Sequence, residues 1–264
     1  LDWSSGYDLG WKAVATNIAD VAAMGAVPTA LVVAVSAPAT TEIAWLEAFA
    51  DGLRAACEHL APGCGVVGGD LAASAQIMIS VAAHGSLEGR APVLRSGAQV
   101  GDVVAVAGTL GRAAAGLALL ESDNRDAIAA YDALVDAQRR PHPPIASGVE
   151  AAVAGATAML DLSDGLAKDA ARIAKASEVT IQLDRLQLQG FEAVLEEAAR
   201  AIEAQEFEWV IGGGEDHSLL ATFSANATIP RAFKPIGLVL PAGHAPVMLG
   251  ANPMPEHGWD SVRG

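Results

Sequence analysis

Apolar residues in this chain follow two patterns, one with a period of about 3.6 positions and one of short continuous runs. The periodic pattern predicts amphipathic helices over residues 8–25, 42–58, 112–121, 126–138, 145–154, 166–177 and 191–204. The short runs predict strands at 31–35, 65–70, 76–84, 102–108, 159–162, 179–183 and 218–223. This mixture of helices and strands is typical of an α/β (α+β) protein, in which helices lie on β-sheets.

A change of composition divides the chain into two parts. Residues 87–101 are rich in Gly, Pro, Arg and Ser, which are common in linkers. We therefore expect an N-terminal domain over residues 1–90 and a C-terminal α/β domain over residues 91–264. The chain starts at Leu1, close to a predicted helix, and we expect a further segment upstream of it.

The densest group of polar residues lies in the turn at residues 161–165. An apolar run ends in Asp161, and Ser163, Asp164 and Gly165 follow before the next helix begins. In α/β proteins a turn between a strand and a helix lies at the sheet edge that binds ligands. The alternative is that Ser163 or Asp164 only caps the helix. A cap needs one such group, and three polar groups are present.

Three further acidic stretches interrupt the apolar pattern. Asp20 lies one turn from Asn17 on an alanine-rich helix, so the two side chains either face one ligand or form a solvated face. The alanines favour burial, and a buried aspartate needs a partner. Gly69 and Asp70 end a short strand, either beside a ligand or in an ordinary turn. The three glycines before Glu215 indicate a flexible loop that contacts a ligand.

Composition narrows the class of protein. Hydrophobic residues make up 52% of the 264 residues and charged residues 18%, which is enough apolar material for folded cores. The net charge of −15 argues against nucleic acid as a partner, because binding it requires clustered Lys and Arg. The most apolar segment, residues 21–39, is interrupted by Gly25 and Pro28, so we expect no membrane span. Two cysteines outside any Cys-x-x-Cys pair favour a reduced, cytoplasmic setting.

The acidic stretches together indicate a metal-dependent chemistry. Carboxylates that are brought together repel one another unless cations separate them. Oxygen ligands without zinc-type spacing of His or Cys fit Mg²⁺, which bridges carboxylates to substrate phosphates. No P-loop motif is present, and Arg95 is either a phosphate partner or a linker arginine at the surface. The pattern predicts nucleotide-phosphate chemistry by in-line transfer, with little need for a general base.

Five motifs occur in a fixed order along the chain. They are the Asn17-Ile18-Ala19-Asp20 stretch that continues to Gly25, then Gly68-Gly69-Asp70, Arg95-Ser96-Gly97-Ala98 with Gly101-Asp102, Asp161-Leu162-Ser163-Asp164-Gly165, and Gly213-Gly214-Glu215-Asp216. With these motifs, and over nearly its whole length, the chain resembles the thiamine-monophosphate kinase family. That family lies within the superfamily of aminoimidazole ribonucleotide synthetase.

The resemblance implies a two-domain synthetase-like fold whose N-terminal sheet forms a homodimer. It also implies a transferase that uses ATP and several Mg²⁺ ions to phosphorylate thiamine monophosphate to thiamine diphosphate. Metal ligation is implied for Asp20, Asp70, Asp161 and Asp164, of which Asp20 and Asp164 are the expected catalytic residues. Nucleotide contacts are implied for Gly69, Asp70, Arg95 and Ser163. Contacts to the thiamine part are implied for Glu215 and Trp259.

The chain departs from the family pattern at two places. His217 stands where the family commonly has tyrosine, so we expect a change in the shape of the substrate pocket but not in the metal ligands. Family members also carry Asp, Ser and Thr metal ligands in the segment that we expect upstream of Leu1.

Other functions stay open at this point. A selenophosphate synthetase would normally bring a reactive N-terminal Cys or selenocysteine, and a hydrogenase-maturation factor a C-terminal cysteine. Neither is visible in this sequence. The alternative from another class is a non-catalytic homologue that binds or scaffolds nucleotides.

Overall fold

The N-terminal part of the chain is a three-stranded sheet with two helices on one face. The computed structural model describes residues 3–255 and residue 258. The first elements are α1 (Gly6–Ala23), β1 (Val27–Ala37), α2 (Ile43–Leu60), β2 (Gly65–Ala73) and β3 (Met78–Ser86). The strand order is β2-β1-β3, with β1 parallel to β2 and antiparallel to β3.

The C-terminal part contains a seven-stranded sheet in the order β10-β9-β6-β8-β4-β7-β5. Its strands are β4 (Val103–Ala107), β5 (Ala156–Asp161), β6 (Val179–Leu183), β7 (Leu219–Phe223), β8 (Phe233–Pro241), β9 (Val247–Leu249) and β10 (Asn252–Pro253). Its helices are α3 (Arg112–Glu121), α4 (Arg125–Ala130), α5 (Asp132–Arg139), α6 (Ile145–Val153), α7 (Leu166–Ser177), α8 (Arg185–Glu192), α9 (Glu196–Ala201) and α10 (Glu206–Gly212). None of the helices in the described ranges could cross a membrane.

The two faces of the N-terminal sheet differ in burial. On β1, Leu31 and Val33 are buried in the core that α1 and α2 cover, whereas Val32 between them is exposed. On β3, Ile79 and Val81 pack against the same core. Because successive side chains of a strand alternate between faces, the opposite face of this sheet is open in the single chain.

Helix α1 packs against both parts of the chain. The indole nitrogen of Trp11 donates to the carbonyl oxygen of Pro141 at 2.9 Å, and both groups are buried. Ala23, at the end of α1, belongs to the same apolar cluster as Met159 and Leu219 of the second sheet. Where α1 crosses α6, Gly148 lies so close to α1 that a methyl group would overlap its backbone. The position of α1 is therefore fixed by contacts with both sheets.

Most of the predicted elements are present, and α3 and α7 have the predicted bounds. The helix predicted over 126–138 is instead two helices, α4 and α5, with Tyr131 between them. The helix predicted over 191–204 is instead the end of α8 and the short helix α9. Helix α8 begins earlier than predicted, where the Asp184 side chain accepts a hydrogen bond from Leu186 N at 2.8 Å. The strand expected to end at Asp70 continues to Ala73, because β1 is long enough to pair with it throughout.

We predict that Gly10→Ala lowers the free energy of unfolding, although alanine favours helices more than glycine does. A methyl group at Gly10 of α1 would overlap the backbone of Phe49 on α2, so the two helices would have to move apart. We expect a loss of about 1–3 kcal/mol in urea denaturation.

Gly190→Ala provides the matched control. Gly190 lies in α8 with open space around it, so this variant should gain about 0.5–1 kcal/mol. Equal effects at the two positions would contradict the close helix contact.

Candidate active site

Two carboxylates from different parts of the chain meet where α1 contacts the end of β5. We call this boundary between the N-terminal and C-terminal parts the seam. Asp20 lies on α1, and Asp161 is the last residue of β5. Their carboxyl groups are in hydrogen-bonding contact. Burial and then the charge of Asp161 raise the pKa of Asp20 to about 6, against the opposing charges of His217 and Arg95. Asp20 keeps contact with solvent, so a cation could reach it.

His217 supports Asp161 from the other side. Its Nδ1 lies 3.1 Å from Asp161 Oδ2, and its side chain is 5% exposed. The backbone of His217 is in the left-handed region, with φ of 49°, and its amide donates to Leu162 O at 3.1 Å. Nε2 of His217 is buried without a hydrogen-bond partner in the described part of the chain. His217 therefore contacts an expected metal ligand.

The alternative that Ser163 or Asp164 caps α7 is wrong. The N-cap position is Gly165, which has no side chain. The buried carboxylate of Asp169 replaces the cap by accepting hydrogen bonds from Asp164 N at 2.9 Å and Gly165 N at 3.2 Å. Burial raises the pKa of Asp169 to about 6, while the Asp164 amide and Arg172 favour its charged form. The side chains of Ser163 and Asp164 therefore have no capping role.

The Asp164 carboxylate is paired with cations from α7, the helix that follows it. Arg172 forms ion pairs with both Asp164 and Asp169. Lys168 Nζ lies 3.5 Å from Asp164 Oδ2. For Asp164 to ligate a metal ion, it must exchange at least one of these partners.

The acidic turn and the glycine-rich loop are packed backbone to backbone. A side chain at Gly214 would overlap Ser163 O, and one at Gly165 would overlap Gly212 O. The amide of Glu215 donates to Ser163 O at 3.0 Å. Glycine is therefore required at these crossings, and the loop is held against the turn rather than free.

The second acid of the loop has a structural role. Asp216 is buried, and its Oδ1 accepts a hydrogen bond from Thr109 Oγ1 at 2.7 Å. Burial raises the pKa of Asp216, whereas the Thr109 hydroxyl and the amides at the start of α3 favour its charged form. Asp216 thus fixes the loop to α3, whereas Glu215 forms an ion pair with Lys12 of α1.

A cavity of about 630 Å³ opens beside Glu215. Its wall includes small and apolar side chains, carboxylates and the glycine-rich loop. These residues are Ala114, Leu117, Gln138, Glu208, Trp209, Gly212, Gly213, Gly214, Glu215 and Gly258. Trp259 lies outside the described residues, although its neighbour Gly258 lines this cavity.

The remaining sequence candidates lie at different distances from this site. Arg95 is exposed on the loop between β3 and β4, and its charge acts on Asp20. The side-chain amide of Asn17 donates to Ala13 O at 2.9 Å within α1. Gly69 and Asp70 lie on the edge strand β2, where they pair with Val33 and Ala34 of β1. Within the described residues, no hydrogen bond or ion pair links the Asp70 side chain to the other candidates.

The oxygen donors of the site are of the type that Mg²⁺ prefers. In the described ranges, no three acidic, His or Cys side chains form a ready-made metal cage. The contact between Asp20 and Asp161 nevertheless fits Mg²⁺, because it offers oxygen donors whose mutual repulsion a cation would relieve. Substrate phosphates and water commonly complete such a site.

Comparison with known proteins places the chain in a family. Residues 2–87 match the N-terminal domain of AIR synthase related proteins, and residues 99–230 match their C-terminal domain. The thiamine-monophosphate kinase of Mycobacterium tuberculosis strain H37Rv is 44% identical over 265 residues, which are 99% of this chain and 76% of that protein. The chain belongs to the thiamine-monophosphate kinase family. The expected two-domain synthetase-like α/β fold is thereby confirmed.

Solved structures support the same assignment. AaThiL complexed with AMPPCP and TMP matches with a TM-score of 0.87 and 32% identity, over 96% of this chain and 80% of that one. The hydrogenase maturation protein HypE in complex with ATP matches with a TM-score of 0.69 and 16% identity, over 89% of this chain and 71% of that one. At that identity HypE shows the fold alone. Its similarity to these relatives thus identifies the chain as a kinase.

Several residues at the site were missed by sequence reasoning. Lys12 contacts Glu215 across the seam, and no local pattern indicates this. Asp169 gives a weak signal, because it lies next to the apolar face of α7 that contains Leu166 and Ala170. Arg172 lies eight residues after Asp164 in the sequence, yet the two side chains form an ion pair.

We predict that Asp20→Asn stabilises the metal-free protein near neutral pH. The folded-state pKa of about 6 is above the ordinary value of 3.8, so the folded state favours protonated Asp20. The stability that Asp20 contributes is present below about pH 4 and is lost as the pH rises through about 6. With a discount for its contact with solvent, the variant should gain about 1 kcal/mol or less at pH 8 and nothing at pH 4, in urea denaturation with EDTA.

Asp51→Asn is the control, because Asp51 is exposed on α2. It should give no comparable pH-dependent difference. A gain for Asp20→Asn at pH 4 that disappears at pH 8 would contradict the raised pKa.

Proposed function

We propose that this chain transfers the terminal phosphoryl group of ATP directly to thiamine monophosphate, giving thiamine diphosphate. The observation that carries the proposal is the convergence of three family motifs at one seam, where Asp20, Asp161 and Glu215 lie around a turn and a loop packed together. The relative in M. tuberculosis is named for this activity, and AaThiL is complexed with AMPPCP and TMP. We place the reaction in the cytoplasm.

Asp20 and Asp161 are the residues that would hold Mg²⁺, with Asp164 as a further ligand after it leaves Arg172. When bound, Mg²⁺ supplies charge neutralisation for the phosphate oxygens. Ser163 and Arg95 contact the nucleotide in this proposal, and the Arg95 guanidinium suits a phosphate because it can donate two parallel hydrogen bonds. Gly69 and Asp70 retain the nucleotide and metal roles implied by the family.

The acceptor needs no strong general base. A phosphate monoester has a second pKa of about 6, so its oxygens are already ionised at neutral pH. The residues of this chain therefore have to bind and orient the two phosphates for in-line attack, and to exclude water from the reaction.

The cavity beside Glu215 suits the thiamine part of the substrate. The thiazolium ring is planar and cationic, and the cavity offers carboxylates at Glu208 and Glu215. Trp209 adds an aromatic ring that can attract a cation. Trp259 retains its proposed contact to the ring on the basis of the family resemblance.

We also propose that the chain forms a homodimer through the open face of the N-terminal sheet. Val32 and Met78 are exposed there, at 37% and 66%, and Ala34 and Ala82 add small side chains to the same face. A second copy would remove this apolar surface from water. The division into domains near residue 90 remains part of the proposal.

We predict that ADP release requires thiamine monophosphate and that Asp164→Asn lowers kcat/KM by about 100-fold or more, because a metal-ligating charge is lost. The measurement is a coupled ADP-release assay with ATP and Mg²⁺. Asp51→Asn is the control variant and should retain the activity.

The assay also separates the rival functions. Turnover of ATP without thiamine monophosphate would favour another member of the superfamily. The absence of turnover in the wild type would favour a non-catalytic nucleotide-binding homologue.

We predict that Val32→Asp converts the dimer to a monomer, because the charge would be buried without a partner at the proposed interface. Size-exclusion chromatography with light scattering gives the mass. Leu186→Asp is the control, because Leu186 is 72% exposed on α8, away from this sheet. A dimer that survives Val32→Asp, or a wild type that is monomeric, would argue against the interface.

A further inference from the structure

Lys12 lies outside the five motifs named in the sequence analysis, and it forms an ion pair across the seam. Its Nζ lies 2.6 Å from Glu215 Oε2 and donates a hydrogen bond to Gln138 O at 3.0 Å. Both partners line the cavity beside the glycine-rich loop. Lys12 itself belongs to α1, so it brings a positive charge from the N-terminal part to this cavity.

Lys12 lies in line with the carboxylates of the site. Lys12, Thr16 and Asp20 are spaced by four residues, which places them along one side of α1. At about 1.5 Å of rise per residue, Lys12 and Asp20 are separated by about 12 Å along the helix axis. One end of this row contacts the cavity and the other end contacts Asp161. The row of Lys12, Thr16 and Asp20 therefore connects the cavity with the carboxylates.

The two charges of the ion pair are complementary to the two charges of the proposed acceptor. Thiamine monophosphate carries a cationic ring at one end and an anionic phosphate at the other. A carboxylate that attracts the ring and an ammonium that attracts the phosphate would match it. Glu215 and Lys12 offer these two charges next to each other, on residues with 44% and 22% of their side chains exposed.

We infer that Lys12 binds the phosphate group of thiamine monophosphate. In this inference, which rests on the proposed function, the ring replaces Lys12 as the partner of Glu215, and the ammonium turns to the phosphate. The exchange is feasible because a partly exposed ion pair is weak and can change partners. The flexible stem of lysine allows the ammonium to move without movement of α1. Lys12 then aligns the acceptor phosphate with the carboxylate end of the row.

Binding of two ligands to the intact protein tests this inference. Isothermal titration calorimetry would compare thiamine monophosphate with thiamine, which has the same rings and no phosphate. For Lys12→Met we expect thiamine monophosphate to bind about tenfold or more weakly, because a charge-assisted contact is lost. Thiamine should keep its affinity within about threefold, or bind more tightly because Glu215 has lost its competing partner.

Further variants distinguish binding from a structural role. Lys12→Arg should recover part of the affinity for thiamine monophosphate, whereas Lys12→Gln should behave like Lys12→Met. Lys234→Met is the control, because Lys234 of β8 lies over the ring of Phe191 of α8. This variant should change the affinity for neither ligand. Thermal unfolding of each variant checks that the fold is retained, and Lys12→Gln serves if Lys12→Met does not fold.

Two results would overturn the inference. Unchanged affinity for thiamine monophosphate would show that Lys12 does not contact the phosphate. An equal loss for both ligands would show that Lys12 only holds α1 against the loop. The failure of the proposed function is distinguishable, because then the wild type itself would neither bind nor phosphorylate thiamine monophosphate.

Discussion

The site depends on the contact between the carboxyl groups of Asp20 and Asp161. Burial, and then the charge of Asp161, raise the pKa of Asp20 to about 6. The second effect arises because two acids in contact are unfavourable when both are charged. The chain nevertheless holds them together by positioning α1 on one side and the end of β5 on the other. His217 contacts Asp161 at 3.1 Å, and the charge of Arg95 acts on Asp20. A divalent cation is the natural further partner for such a pair.

This contact requires α1 to be fixed with little freedom. Trp11 is bound to Pro141, and Gly148 allows α6 to touch the α1 backbone. On the other side of the seam, Gly165 and Gly214 allow the acidic turn and the loop to cross without space for side chains. Asp169 holds the turn from within α7, so that Ser163 and Asp164 do not have to cap the helix. The glycines of the motifs thus serve packing as much as contact with a ligand.

The sequence was sufficient for features that depend on neighbouring residues. Apolar spacing located α3 and α7 with their correct bounds, and the acidic turn after β5 lies where a strand and a helix meet. The sequence was not sufficient where a side chain contacts a residue far away in the chain, or where a side chain caps a helix before the apolar pattern begins. Asp184 caps the start of α8, which lies before the first residue of the predicted helix. Lys12 contacts Glu215, although the two residues are more than 200 positions apart in the sequence. Such pairs depend on the packing of α1 between the two sheets, which no local period encodes.

Whether Asp20 and Asp161 act as one unit across the seam is tested most directly by a double-mutant cycle on kcat/KM. Asp20→Asn, Asp161→Asn and the double variant would be assayed with ATP, Mg²⁺ and thiamine monophosphate. If both carboxylates serve one shared cation site, the double variant should be within about threefold of the weaker single variant. Losses that multiply, as for independent residues, would contradict the account.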